Sequence, residues 1–320
     1  MEVHRSRLCR ASVHFNDFKA PLPEPLQDYI NMLKRPRRHP SPGASRIPMK
    51  APLARDGTKS SMRLKLSSVL LLRSWDEEGG HPWVTRLEDV PLHNNFPPAT
   101  FSKDVLLDSL GASSQAQPES CIGYVPFMHG SGCTAAFNTV QEEVIEDLYE
   151  ASRACFHIPT NHARRLLLHP QAYFPFFTAQ WTHKVHHAFA MPRGASDGAV
   201  IVDHLRMLFL NGLGDDGLLV NTSHVSMTFN GHSAILYIHW FDDINVTYHM
   251  ERFWSGAVDE HDPCVMLRCI LRNLEDWAVG ERLEHIRASL NEVHAYAVAR
   301  NAYDESAGRS GKGQRTDEGA

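Results

Sequence analysis

One stretch constrains the fold more than any other. Tyr173-Phe-Pro-Phe-Phe-Thr-Ala-Gln-Trp-Thr182 is followed, after a short polar gap, by Gly194-Ala-Ser-Asp-Gly-Ala-Val-Ile-Val-Asp-His-Leu205. Aromatic side chains crowd residues 173 to 181, which suits a pleated and buried surface, and a run this short and apolar reads as a central strand. The run from Gly194 reads as a helix. A strand that emerges into a helix is where α/β proteins keep their chemistry. The polar residues of that junction, Gln180 first among them, are therefore the candidates for a site.

Around this unit the pattern predicts an α/β (or α+β) domain over residues 63–300, a central mixed sheet flanked by helices with a long helical region at its C-terminal end. The apolar residues between Met62 and Leu72 fit a strand or a short helix equally. Glu77–Pro82 and Asn94–Pro98 are turn-rich, and Ser102–Leu110 reads as a helix capped by Ser102 and ended by Gly111. Cys121–Phe127 reads as a strand. Thr139–Ala154 is an amphipathic helix with Val140, Val144, Leu148 and Ala151 on one stripe. Val220–Phe229 and Ala234–Phe241 flank Asn230-Gly-His-Ser233, which is hairpin chemistry. Helical spacing then runs from Val265 to Val293, with a kink expected at Gly280.

The ends differ from this core. Residues 1–62 carry eight prolines among basic and small residues, a composition that predicts a disordered tail. Within it, Leu26–Leu33 has helical apolar spacing and suits a docking segment, and Lys34, Arg35, Arg37 and Arg38 form a basic cluster of nuclear-localisation type. Residues 301–320 are rich in Gly, Ser and charge and predict a second disordered tail. Charge divides the chain: residues 1–65 hold 14 Lys/Arg against 5 Asp/Glu, and the rest holds 18 against 32. An acidic body repels phosphate backbones, so a nucleic acid or an acidic protein would bind through the basic tail. The acidic body of the same chain is an equally suitable partner for that tail.

Several classes are excluded. Six cysteines have no C-x-x-C spacing, which speaks against a zinc site and suits reduced thiols in an intracellular protein, nuclear if the basic cluster is read and cytoplasmic otherwise. No apolar run approaches the ~20 residues of a membrane helix. There is no P-loop, G-x-G-x-x-G or nucleophile elbow, and no cofactor is expected from these motifs. His183, His186 and His187 beside Lys184 have no companion Cys or carboxylate at metal-ligand spacing. Trp181, Trp240, Trp254 and Trp277 lie in apolar-periodic segments and read as core.

Six separated motifs, at 175–181, 194–203, 224–228, 236–240, 249–251 and 272–287, together resemble the DUF7924 family of fungal proteins over roughly residues 85–295. That family is in turn similar to the restriction-endonuclease-like superfamily named for its PD-(D/E)xK signature. The resemblance implies an acid on one strand and an (E/Q)xK triplet on the next, binding Mg2+ through hard oxygens and orienting a water with the lysine. On this pattern Glu119, in Pro118-Glu119, takes the acid position, and Glu119 and Gln180 are the implied metal-proximal groups. The triplet reads Gln180-Trp181-Thr182, so its lysine is missing. Lys184 follows two residues late, Arg193 stands where a Gln is expected, Ser196 stands where an Arg is expected, and Asp197 lies beside them.

Each of these residues also has a plainer role open to it. Gln180 suits a polar residue at a strand edge, Glu119 a solvated loop acid, and Asp197 a helix first turn. The expectation is a nuclease-like frame around a degenerate site, in a binding or scaffold protein without catalysis. The alternative is a divalent-metal-dependent nuclease using Glu119, Gln180 and Lys184.

Overall fold

The computed structural model describes residues 13–16, 21–38, 47, 57–71, 81–92, 95–96, 114–126, 136–154, 168–183, 185–212 and 218–310. Its strands are β1 (Val13–Asn16), β2 (Val84–Glu88), β3 (Asn95–Phe96), β4 (Ser114–Gln115), β5 (Ser120–Tyr124), β6 (Tyr173–Trp181), β7 (His224–Phe229), β8 (Ser233–Asp242) and β9 (Thr247–Ala257). The helices are α1 (Glu24–Leu33), α2 (Lys59–Leu70), α3 (Thr139–Ala154), α4 (Met191–Gly212), α5 (Leu218–Asn221), α6 (His261–Trp277) and α7 (Leu283–Ser310). The structure is mixed α/β, as expected, with a seven-stranded sheet in the order β1-β9-β8-β7-β6-β5-β2; β3 and β4 pair separately.

The opening stretch of the sequence is the middle of this sheet. β6 pairs antiparallel with β5 and parallel with β7, and all nine of its residues are buried. A parallel pair needs a crossover, and α4 supplies it, packing against β6, β7 and β8. Beyond β7 the sheet continues as an antiparallel meander. The predicted hairpin is present: Asn230 Oδ1 accepts from the backbone of His232 at 3.0 Å and Ser233 at 2.9 Å, and Gly231 takes the positive φ of 90° that the turn needs.

The start of β6 is clamped to the C-terminal helices. Gly280 breaks the helix with φ −102° and ψ −106° inside a π turn, Ala278–Arg282, that joins α6 to α7. This is where the kink was expected. The turn buries Arg282 completely. Its guanidinium donates to the carbonyls of Phe174 (3.2 Å) and Pro175 (3.3 Å) and to the Tyr124 hydroxyl (3.1 Å), while that hydroxyl donates to the Ala278 carbonyl at 2.7 Å. Phe174 is held at φ 43°, a costly conformation for an aromatic residue, beside the bulge between Ile122 and Tyr124. A Cβ on Gly123 in that bulge would come 2.7 Å from the Tyr173 carbonyl oxygen.

Two of the expected boundaries fall inside helices. The segment expected to be a disordered tail contributes β1, α1 and the first turn of α2, and the boundary at 62 falls inside α2. α1 buries Leu26, Tyr29, Ile30 and Leu33 and packs against α6, with the Tyr29 and Trp277 rings 4.6 Å apart. Proline count misled here because Pro23 and Pro25 lie at the start of the helix, where they are tolerated, and four buried side chains offset its ordering. At the other end the helix runs on to Ser310, past the expected boundary at 300. The predicted helix over Ser102–Leu110 lies outside the described residues, as do the turns at 77–80 and 97–98.

Candidate functional site

The junction of β5, β6 and α4 gathers four of the residues singled out from the sequence. Glu119 immediately precedes β5, whose first residue, Ser120, lies opposite Ala179 of β6. Glu119 thus sits beside Gln180 on the neighbouring strand. It is buried, at 7% exposure, and is not the solvated loop acid that composition allows. Its Oε2 accepts from the backbone N–H of Trp181 at 3.1 Å, and its Oε1 is paired with the ammonium of Lys59, at the first turn of α2. Arg193, 71% exposed by its side chain, stands 3.7 Å from the same Oε1.

Gln180 is a buried residue in mid-sheet, not an edge residue. Its Nε2 donates to Asp197 Oδ2 at 2.6 Å and to the Gln117 carbonyl at 3.2 Å. Asp197 Oδ1 accepts from the backbone N–H of Gln117 at 3.0 Å. α4 begins at Met191, three residues earlier than its predicted start, so Asp197 lies in the second turn and serves the loop before β5, not its own helix terminus. Burial pushes the Asp197 carboxyl up to about 7; the bonds from Gln180 and Gln117 and the charge of Arg193 oppose that rise, and Glu119 adds to it.

A second layer supports Glu119. The side chain of Arg63, one turn along α2 from Lys59, forks onto Asp89 at 2.6 and 2.5 Å and reaches the Glu119 carbonyl at 3.4 Å. This fork holds the Asp89 carboxyl below its ordinary value and raises the guanidinium. Ser120 Oγ donates to Glu88 at 2.6 Å and accepts from the Trp181 indole N–H at 2.9 Å. Asp89, Gln117, Glu119, Arg193, Ser196 and Asp197, with Ala116, line an open pocket of about 390 Å³.

Lys184, the third expected catalytic residue, lies outside the described residues. Thr182, at the place of the missing lysine, turns to β7: its N–H donates to the Phe229 carbonyl at 2.7 Å and its hydroxyl to the same oxygen at 3.1 Å. His187 is buried between Thr228 and Ser233, each 2.8 Å from one ring nitrogen. The basic cluster lies on other elements. Arg37 pairs with Asp276 at 2.5 Å, Asn273 caps the carbonyls of Leu33 and Arg35, and Lys34 sits over the Phe253 ring.

The family described as a domain of unknown function, DUF7924, matches residues 76–290. The chain belongs to this family. No curated protein matches it. In this DUF7924 chain the match begins after α2, so Lys59 and Arg63, which reach Glu119 from outside the matched region, could not be found by the family motifs. Sequence reasoning missed both, together with Asp89 and Gln117. The only local signal was the Thr58 cap, whose hydroxyl accepts from Ser61 N at 3.2 Å and starts α2 one residue before Lys59.

The Mg2+ implied by the superfamily resemblance does not fit the donors as they stand. Magnesium takes carboxylate, carbonyl and water oxygens in octahedral array. One Glu119 oxygen already carries an ammonium and the other a backbone N–H, while both Asp197 oxygens accept hydrogen bonds. Among the described residues no group of three or more His, Cys, Asp and Glu is placed to hold a metal. No described helix is long and apolar enough to cross a membrane.

Proposed function

We propose that this protein is a binding or scaffold protein built on a nuclease-like frame whose acid is already paired with a cation of its own chain. The observation that carries the reading is the pairing of Glu119 within its own chain: the Lys59 ammonium binds one of its oxygens and the Trp181 N–H the other, and Thr182 brings no charge to the strand. The frame itself supports the restriction-endonuclease-like half of the reading. An acid beside β5 faces a Gln triplet on the adjacent antiparallel strand, and the helix after that triplet crosses to a parallel strand. This is the placement of acid and triplet that the resemblance implies.

The partner expected on this reading is a polyanion, nucleic acid or acidic protein, met at the basic cluster. Arg35 and Arg38 are exposed there, whereas Lys34 is half-buried and Arg37 is tied to α6. Incubation of the full chain with DNA or RNA in Mg2+ or Mn2+ is expected to give no cleavage, and polyanion binding is expected to weaken with salt. Metal-dependent cleavage that disappears in Glu119→Ala would establish the alternative, a divalent-metal-dependent nuclease.

A further inference from the structure

We infer that Lys59, carried on α2, supplies the site with the positive charge that the Gln180-Trp181-Thr182 triplet lacks, and so acts as the positioning residue for Glu119. The inference rests on the nuclease-like reading of the frame, but not on whether the site is active.

Three observations converge on it. First, Glu119 and Asp197 are two buried carboxyls lining one pocket, and a buried carboxylate without a cation is costly. Arg193 is a poor answer to that charge, because it is largely in water and only 3.7 Å at its nearest from Glu119. Lys59 makes the close contact.

Second, α2 is fixed where that contact needs it. Thr58 caps its start, Met62, Leu66 and Leu70 are buried in the core, and Arg63 on the next turn is forked onto Asp89 while touching the Glu119 carbonyl. The ammonium is delivered by a docked helix, not by a free side chain searching the surface.

Third, the place where the triplet pattern puts a lysine is occupied by a residue turned elsewhere. Alternate residues of a strand share a face, so the alternation of β6, carried one residue past its end at Trp181, puts position 182 on the side of Gln180. Thr182 satisfies its hydroxyl on the Phe229 carbonyl. The acid has stayed on its strand, and the cation enters from a helix that precedes the whole sheet except β1.

The experiment relocates the charge. Full-length Lys59→Met, Thr182→Lys and the double variant are compared by thermal denaturation at one pH and salt, with Lys59→Arg and Arg193→Met as controls. Lys59→Met is expected to lower Tm by roughly 3–6 °C, with Lys59→Arg and Arg193→Met falling by less than half as much. Thr182→Lys alone adds a second cation and is expected to leave Tm unchanged or lower. In the Lys59→Met background it is expected to restore at least half of the loss, a rescue that a merely structural role for Lys59 would not produce. Additive effects of the two substitutions, or no effect of Lys59→Met, overturn the assignment. Should Lys59→Met fail to fold, the double variant alone decides, since it folds only if position 182 can take over the charge. Mg2+-dependent nucleic-acid cleavage by the wild-type chain would overturn the non-catalytic reading and leave this assignment standing, so the two failures are distinguishable.

Discussion

Gln180 Nε2 donates to Asp197 Oδ2 at 2.6 Å, tying the end of the central strand to the second turn of the helix that follows it. Both side chains are out of water. The bond works because one partner is an amide. Gln180→Glu, which regenerates the acidic form of the triplet, places a second carboxyl against one already raised to about 7. Two such groups share a proton. A carboxyl whose folded pKa exceeds its unfolded value stabilises fully below the unfolded pKa and loses that contribution as pH climbs through the folded one. The variant is therefore expected to lose about 1 kcal/mol near pH 5 and about 3 kcal/mol near pH 8. Urea unfolding at both pH values checks this, and a deficit independent of pH would show that the two side chains do not meet.

The wild-type chain is expected to be acid-labile. His204 and His239 are driven by burial to about 3, and His224 is also driven well below its ordinary value by burial. A histidine depressed in the native state contributes stability above its unfolded pKa, about 6.5, and loses it as pH falls toward the folded value, because only the unfolded chain takes up the proton. Asp197 works in the opposite sense, since its contribution grows as pH falls from about 7. Three imidazoles outweigh one carboxyl. Each proton bound by the unfolded chain alone costs the native state about 1.4 kcal/mol for every pH unit of the fall, so the balance between pH 7 and pH 4 is a loss of several kcal/mol. That is comparable to a domain's whole stability. Acid unfolding is expected between about pH 4 and 5 on this balance, and His239→Gln, which cannot take the charge, should move the midpoint lower.

Gly198 makes the packing of that layer possible. It sits in α4, where Ala is ordinarily better than Gly by about 1 kcal/mol. A Cβ at this position would overlap the ring of His239, the residue on β8 that meets Ser226 Oγ at 2.7 Å. The steric cost wins, and Gly198→Ala is expected to destabilise by about 1–3 kcal/mol. His239→Ala in the same chain should recover part of that loss. A thermal melt of the two single variants and the double variant reads the coupling, and strict additivity would place the ring elsewhere.

The strand at 173–181, the helix after it, the hairpin at Asn230 and the kink at Gly280 were legible because each rests on local pattern. Fully buried strands read as apolar runs, and a turn or a break has its own residues. The strands on the β1 side of the sheet were not legible. β9 alternates weakly (Thr247-Tyr-His-Met-Glu-Arg), and β1 is four residues that acquire strand character only by pairing with Tyr248–Glu251. The same limit applied to the site. Glu119, Gln180, Asp197 and Arg193 were found by motif order, and the structure brings Glu119, Asp197 and Arg193 to one pocket with Gln180 bonded to Asp197 behind it. Lys59 and Arg63 lie upstream of every motif, Lys59 in the segment whose composition reads as tail and Arg63 at its border. What links Lys59 to Glu119 is a tertiary contact, and neither residue's neighbours along the chain encode it.

The segment expected to be dispensable gives the last test. α1 buries Leu26, Tyr29, Ile30 and Leu33 and packs against α6 and α5, and Arg37 just beyond it pairs with Asp276. The two kinds of contact differ in size. Four buried side chains at about 1.5–3 kcal/mol each are worth roughly 6–12 kcal/mol as an upper bound, whereas a half-exposed ion pair contributes about 0–1 kcal/mol. Opposite charge on tail and body is thus a minor part of why they associate. Arg37→Ala, or half-molar salt, is expected to change Tm by no more than about 2 °C. Removal of residues 1–38 is expected to abolish cooperative folding or lower Tm by well over about 10 °C, with removal of residues 1–20 intermediate because it takes β1 and leaves α1 in place. A chain starting at residue 39 that melts like the full-length protein would show that α1 is a docked appendage, and would return the first sixty residues to the role their composition suggested.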